Sequence, residues 1–220
     1  MRSVRIWFKK TGSAKYISHL DLNRFVARAL RRAQLPLWYT EGFNPRPHTA
    51  FSLPLPLGVE SVCECVDIKI EGEIDDGEIL RRISGASVPG IEFYSVTEPV
   101  LEPPKIGFAK YEFIFFPDDG DGTALKDSIA SRLASGSLPA EKKTKKGTMR
   151  QLNLAEFISE ARTDLCDGEV TLEAVLTAGN ENNINPLLLA RVLLEGTSYD
   201  YRLAKITRLK LYDAQHNEYR

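Results

Sequence analysis

Arg2-Ser-Val-Arg-Ile-Trp-Phe-Lys9, followed by Ser18-His-Leu-Asp-Leu-Asn-Arg-Phe-Val-Ala-Arg-Ala-Leu-Arg-Arg-Ala33, decides the fold class. The first run alternates, with Val4, Ile6 and Phe8 on one side and Arg5, Trp7 and Lys9 on the other. That period of two is the pattern of a strand with one apolar face. In the second run Ser18 suits a helix N-cap, with Asp21 three residues on as a variant of the capping box. Leu22, Phe25, Val26, Ala29, Leu30 and Ala33 form one stripe, and Arg24, Arg28, Arg31 and Arg32 fall opposite.

Downstream of this β-α opening, the pattern predicts strands near 49–54 and 61–71. A capped helix from Asp75 or Asp76 to about Ser84 follows, then a strand near 91–97. The order β-α-β-β-α-β is the ferredoxin-like split unit. Pro99-Val-Leu-Glu-Pro-Pro104 reads as an extended linker. Beyond it the chain starts again, with a strand at Phe108–Phe116 and a helix near 123–135. A lysine-rich excursion and a helical turn near 155–161 precede a strand at Glu169–Thr177. A helix opened by Asn185-Pro186 and a strand at Leu203–Tyr212 close the order. The expected fold class is α+β: two ferredoxin-like units in tandem, with antiparallel sheets and helices on one face. The expected boundaries are 1–98, a linker at 99–106, and 107–220.

Charge is divided unevenly. Residues 1–50 hold ten Lys/Arg and two acids, whereas residues 51–100 hold ten acids and three Lys/Arg, in a chain of formal net charge −1. A local excess of this kind attracts polyanions through its own field, whatever the total charge. Lys9, Lys10 and Lys15 precede the arginine face of the helix and can converge with Arg24, Arg28 and Arg31. Lys142, Lys143, Lys145 and Lys146 form a second basic element, able to clamp phosphate.

Gly42-Phe-Asn-Pro-Arg-Pro-His48 is the most specific segment. Pro45 and Pro47 restrict Asn44 and Arg46 to extended conformations, so the loop loses little entropy on binding. In an extended run Asn44, Arg46 and His48 share one side, and Phe43 can anchor the loop or stack on a base. The alternative is a crossover whose polar groups cap neighbouring backbone. His19 and His48 are weak candidates for metal-free general acid–base cleavage of RNA. Trp7 between Arg5 and Lys9 suits either a stacking platform or a core position. The third strand, Val62-Cys-Glu-Cys-Val-Asp-Ile68, lacks the aromatics of an RNA-recognition domain.

Cys63 and Cys65, two apart in a strand, and the distant Cys166 match no metal-ligand spacing and read as buried free thiols. Residues 1–12 read as a strand rather than a signal peptide, and no apolar run approaches the roughly twenty residues of a membrane helix. A cytoplasmic protein without membrane contact is expected.

Lys15-Tyr-Ile-Ser-His-Leu-Asp-Leu22, Arg28-Ala-Leu-Arg-Arg-Ala33, Gly42-Phe-Asn-Pro45 and Leu55-Pro-Leu-Gly58, in that order, resemble the radical-SAM-linked proteins, a bacterial family. The resemblance spans nearly the whole chain and is densest over residues 1–70. It implies a partner, because members are neighbours of, or C-terminal fusions to, a radical-SAM protein that often has a cobalamin-binding region. It implies no activity for this chain. There is no C-x3-C-x2-C motif here, so the iron–sulfur cluster, SAM and cobalamin are expected in the partner and no cofactor in this chain. Family members often carry histidine where Arg46 stands, a departure compatible with phosphate or base contact by either residue.

The expected function is a non-catalytic subunit that binds tRNA or rRNA and presents it to a radical-SAM modifying enzyme. Two other readings are a metal-independent endoribonuclease and a protein–protein adaptor that binds no RNA.

Overall fold

A computed structural model describes residues 1–117, 122–143, 149–179 and 183–220, with the backbone alone for Lys142, Lys143 and Arg150. The chain mixes strands with four α-helices among the described residues, and the strand pairings described here are antiparallel. It divides into two compact units, Met1–Ile106 together with Lys210–Arg220, and Gly107–Leu209. The final eleven residues therefore belong with the amino-terminal unit, not with the carboxy-terminal one as the sequence order suggests.

The first unit runs β1 (Arg2–Lys10), α1 (His19–Arg32), β2 (Thr49–Phe51), β3 (Glu60–Ile70), α2 (Asp76–Ser84) and β4 (Ile91–Thr97). Its strands lie in the order β4-β1-β3, with β2 on β3. The alternation of β1 places Val4, Ile6 and Phe8 against the helices, all three at 0% exposure. Leu22, Val26, Ala29 and Leu30 of α1 and Ile79 and Ile83 of α2 complete that core. Each fully buried side chain of this size contributes about 1.5–3 kcal/mol over its exposed state. Ser18 Oγ accepts from the Asp21 amide at 3.1 Å and donates to its carboxylate at 2.7 Å, which fixes where α1 starts. Gly90 permits a close approach: a Cβ there would meet Thr11 O at 2.4 Å, and its φ of +83° suits glycine.

The other sheet face is covered too. Arg5 is fully buried and binds the Asp67 carboxylate through Nε and Nη2 at 2.7 and 2.8 Å. Its Nη2 also reaches Leu101 O at 2.7 Å, and its guanidinium lies 4.2 Å from the Tyr219 ring centroid. Burial disfavours the charged form, but the hydrogen bonds and charge of Asp67 outweigh it and hold Arg5 protonated more firmly than an exposed arginine. The amides of Val100 and Leu101 donate to Arg220 O at 3.1 and 2.8 Å, so the proline-rich segment pairs with the chain end. Trp7 meets Tyr219 edge-on at 6.5 Å and donates to Thr97 Oγ1 at 2.9 Å. It is a packing residue, not an open stacking platform.

The second unit holds β5 (Ile106–Phe115) from Gly107 on, α3 (Gly122–Ala134), β6 (Pro139–Lys143), β7 (Met149–Asn153), β8 (Ile158–Cys166), β9 (Glu169–Thr177), α4 (Pro186–Leu193) and β10 (Lys205–Asp213) up to Leu209. β5, β9 and β8 are neighbours in that order, β10 lies beside β5, and β6 pairs with β7 as a separate hairpin. The helical turn expected over 155–161 is a 3₁₀ turn at Leu154–Phe157, and β8 follows it at once. A two-residue hairpin joins β8 to β9: Cys166 opposes Glu169, and Asp167 and Gly168 have φ of +51° and +83°. Asp-Gly with both residues at positive φ is the chemistry of a tight hairpin turn. Cys63 and Cys65 are buried as expected, but Cys166, at this turn, is exposed.

Candidate functional site

The site is built in the first unit from α1 and the arm that follows it. Leu20, Asn23, Arg24, Ala27, Arg28 and Arg31 recur at three- and four-residue intervals, so the helix presents them as one outward strip. The arm leaves α1 through Pro36 and runs beside β3, with the Trp38 amide on Lys69 O at 2.9 Å and the Glu71 amide on Pro36 O at 2.7 Å. It then folds back on itself. The His48 amide donates to Trp38 O at 3.2 Å and the Thr40 amide to Arg46 O at 2.9 Å. The Arg46 amide reaches Thr40 Oγ1 at 3.2 Å. Gly42 takes a φ of +123° at the bend, and Phe43 at the tip is fully exposed.

Between helix and arm lies a groove of about 440 Å³. Arg24, Arg28 and Arg31 line it from α1, and Arg46 lines it from the arm, with Asn23 and Thr49 as neutral polar groups. Arg28, Arg31 and Arg46 have no ion-pair partner among the described residues. Arg24 pairs with Asp21 at 3.1 Å on the surface. The Ser18 hydroxyl, and then the Arg24 guanidinium, hold the Asp21 carboxyl below the usual carboxylate range. One helical turn separates Arg24 from Arg28, roughly 6 Å of rise. Two unit charges at that spacing repel by roughly 0.7 kcal/mol even in bulk water. A bound polyanion relieves that repulsion, and guanidinium forks match phosphate oxygens in pairs.

Other residues expected in the basic surface lie elsewhere. Lys10 is 1% exposed and its Nζ donates to Ile17 O at 2.9 Å, so it clamps the turn before α1 and is closed to a ligand. Lys9 pairs with Glu92 at 3.2 Å, and Lys15 sits 3.9 Å from Glu60 and 5.4 Å from the Tyr16 ring centroid. Neither lines the groove. Arg32 donates to Ala86 O at 3.0 Å, away from its three helix companions. Phe43 and Asn44 are exposed at the arm tip. His48 packs against Trp38 with centroids 5.8 Å apart, and its Nδ1 is buried without a hydrogen-bond partner among the described residues. His19 sits edge-on to Phe51 at 5.3 Å. The two candidate catalytic histidines thus contact different aromatics, and of Asn44, Arg46 and His48 it is Arg46 that lines the groove.

Lys145 and Lys146 lie outside the described residues; Lys142 and Lys143 are placed by backbone in β6. Sequence reading missed Asn23 and Thr49. Asn23 was legible, since it stands four residues before Ala27 and eight before Arg31 on the arginine face; Thr49 was not. No group of three or more His, Cys, Asp or Glu placed to hold a metal occurs among the described residues, and no helix among them is long and apolar enough to cross a membrane.

Among curated proteins nothing matches this chain. Solved structures that are similar at low identity include the following two. One is a Cbf5-Nop10-Gar1 complex, with 11% identity and a TM-score of 0.47 over 94% of this chain and 48% of that one. The chain thus spans about half the length of that relative. The other is an unknown protein from Galdieria sulphuraria, with 10% identity and a TM-score of 0.27 over 94% of this chain and 98% of that one. A family profile described as "Uncharacterized protein conserved in bacteria (DUF2344)" matches residues 3–186. The chain therefore belongs to the bacterial family DUF2344.

Proposed function

We propose that this chain is a non-catalytic RNA-binding subunit that presents tRNA or rRNA to a radical-SAM modifying enzyme. One observation carries the RNA half: arginines from two separate elements converge on one groove, and three of them have no ion-pair partner among the described residues. An isolated solvated helix face needs no opposing arm, whereas a phosphate backbone seated in a groove gains from cations on both walls. The arm is stiffened by Pro45 and Pro47 and by its own hydrogen bonds, so little ordering cost opposes binding. Phe43, bare at the tip, suits stacking on an unpaired base.

The partner half rests on the resemblance of residues 15–58 to the radical-SAM-linked proteins. In this reading the iron–sulfur cluster, SAM and cobalamin belong to the partner. The cysteines of this chain, two buried and one exposed and distant in sequence, are a poor cluster set. We also propose that both units are of the ferredoxin-like type, supported by the strand orders β4-β1-β3-β2 and β10-β5-β9-β8. An experimental structure with either order changed would overturn that assignment.

Co-purification of the chain with a radical-SAM protein of its own organism, before and after nuclease treatment, tests the function. Retention that needs intact RNA supports an RNA bridge. Retention indifferent to nuclease, together with no binding of tRNA or rRNA by the chain alone, would leave an adaptor and sink the RNA reading.

A further inference from the structure

The second unit holds a cavity that the arginine groove does not explain. Its volume is about 660 Å³, within the range of small-molecule sites. Glu141 and Gln151 line one side, and Arg191, Glu195, Tyr199 and Tyr201 line the rest over an apolar floor that includes Val192 and Leu194. None of those six polar side chains has a hydrogen-bond or ion-pair partner among the described residues.

The walls are held by neighbours that take no part in the cavity. Glu141 stands directly opposite Gln151 in the β6–β7 register, so the two heads share one face of the hairpin. Arg132 donates from Nη1 to Val192 O at 3.1 Å and from Nη2 to Glu195 O, fastening the end of α4. Thr197 Oγ1 donates to Leu194 O at 2.6 Å and accepts from the Tyr199 amide at 3.3 Å. Asp200, between the two tyrosines, accepts from the Arg202 amide and guanidinium at 2.9 Å, which fixes the turn that carries both rings. The walls are held in place while the lining groups have no partner among the described residues.

We infer that this cavity binds a purine nucleoside, with guanine favoured. Two aromatic rings and a planar guanidinium offer stacking surfaces for a flat heterocycle. Two carboxylates against one guanidinium make the described lining rich in acceptors and net negative, which suits a ligand that donates and carries no phosphate. The Watson–Crick edge of guanine places adjacent N–H donors where one carboxylate can accept both. This inference does not rest on the arginine groove, and free nucleosides test it separately from RNA binding.

Calorimetric titration of the full chain with guanosine, adenosine, uridine, guanosine monophosphate and N-acetylarginine amide decides it. Guanosine should bind most tightly and uridine at least about fivefold more weakly, the lower bound for loss of a good stacking contact. Tyr199→Ala should weaken guanosine by about fivefold or more. Glu141→Gln, an exposed change that keeps shape and fold, should weaken it comparably. Four results would each overturn the inference: no nucleoside saturating in the millimolar range, guanosine affinity unchanged in both variants, tighter binding of the monophosphate than of guanosine, or preference for the arginine derivative. Arg28→Glu, in the other unit, should leave guanosine binding unchanged.

Discussion

Replacing Arg28 and Arg31 together by alanine should flatten the salt dependence of RNA binding while leaving the protein folded. The groove offers Arg28, Arg31 and Arg46 with no ion-pair partner among the described residues, and Arg24 in a surface pair with Asp21. Such a pair is worth at most about 1 kcal/mol, so a phosphate can compete for Arg24. Three to four neutralised phosphates on a single-stranded segment give a slope of log affinity against log salt of about −2.1 to −2.8. Over a fourfold rise in salt, from about 50 to about 200 mM, affinity then falls about 20- to 50-fold. The double variant retains one or two contacts, a slope of about −0.7 to −1.4, and a fall of only about 3- to 7-fold. Both side chains are exposed and have no partner among the described residues, and alanine is a better helix former, so the urea midpoint should barely move. Filter binding across the salt series reads the slope. Arg32→Ala is the control, since its guanidinium is tied to Ala86 O outside the groove. A wild-type slope shallower than about −1, or an unchanged slope in the double variant, would refute the groove as a phosphate track.

Asp67→Ala strands the buried Arg5 charge and should cost about 3–5 kcal/mol in urea unfolding. Adding Arg5→Met should recover much of that loss; additive losses would mean the pair is not the unit of stability. The Glu78 carboxyl is held at about 2, against an ordinary 4.5, by hydrogen bonds from Arg81 and then Arg82. A depressed carboxyl stabilises fully above its unfolded value and loses that contribution as pH falls towards about 2. The stability gap between wild type and Glu78→Gln should therefore shrink on acidification from about pH 4.5, and a gap that widens would reverse the assignment. Native alkylation should label the exposed Cys166 first, with Cys63 and Cys65 reacting only on unfolding, since burial pushes the Cys65 thiol up to about 12. Labelling of Cys65 ahead of Cys166 in mass spectra of the native protein would contradict the burial.

The groove gathers its charge from a helix and an arm separated by some fifteen residues, and neither alone makes a site. The helix keeps its arginines outward because its other face is spent on the core, where Val26 and Leu30 are at 0% exposure. The arm keeps Arg46 beside them because Thr40 and Arg46 are paired through backbone and hydroxyl. Three acids of the same unit are committed to other partners: Glu60 to Lys15 and the Gly12 amide, Asp67 to Arg5, Glu78 to Arg81 and Arg82.

What the sequence settled by itself was whatever depends on near neighbours. The alternation of residues 2–9, the Ser18 cap, the arginine stripe of α1 and the stiffness of Asn44-Pro-Arg-Pro47 are fixed by steric and hydrogen-bond preferences within a few residues. The Asp167-Gly168 turn and β8 went unread, with a helical turn expected near 155–161 instead, because the exposed edge of β8 hides the usual apolar alternation. Tertiary structure alone decided which cations stay free. Lys10 and Lys9 look alike in sequence, yet one caps a carbonyl in the interior and the other faces Glu92. The partners of Arg5 are also remote: Asp67 lies 62 residues away and Leu101 lies 96 away. No local rule foresees that Arg5 holds the chain end through Tyr219, or that Arg46 comes to lie across from Arg24, Arg28 and Arg31. Charge acts through distance in space, and only the folded chain sets those distances.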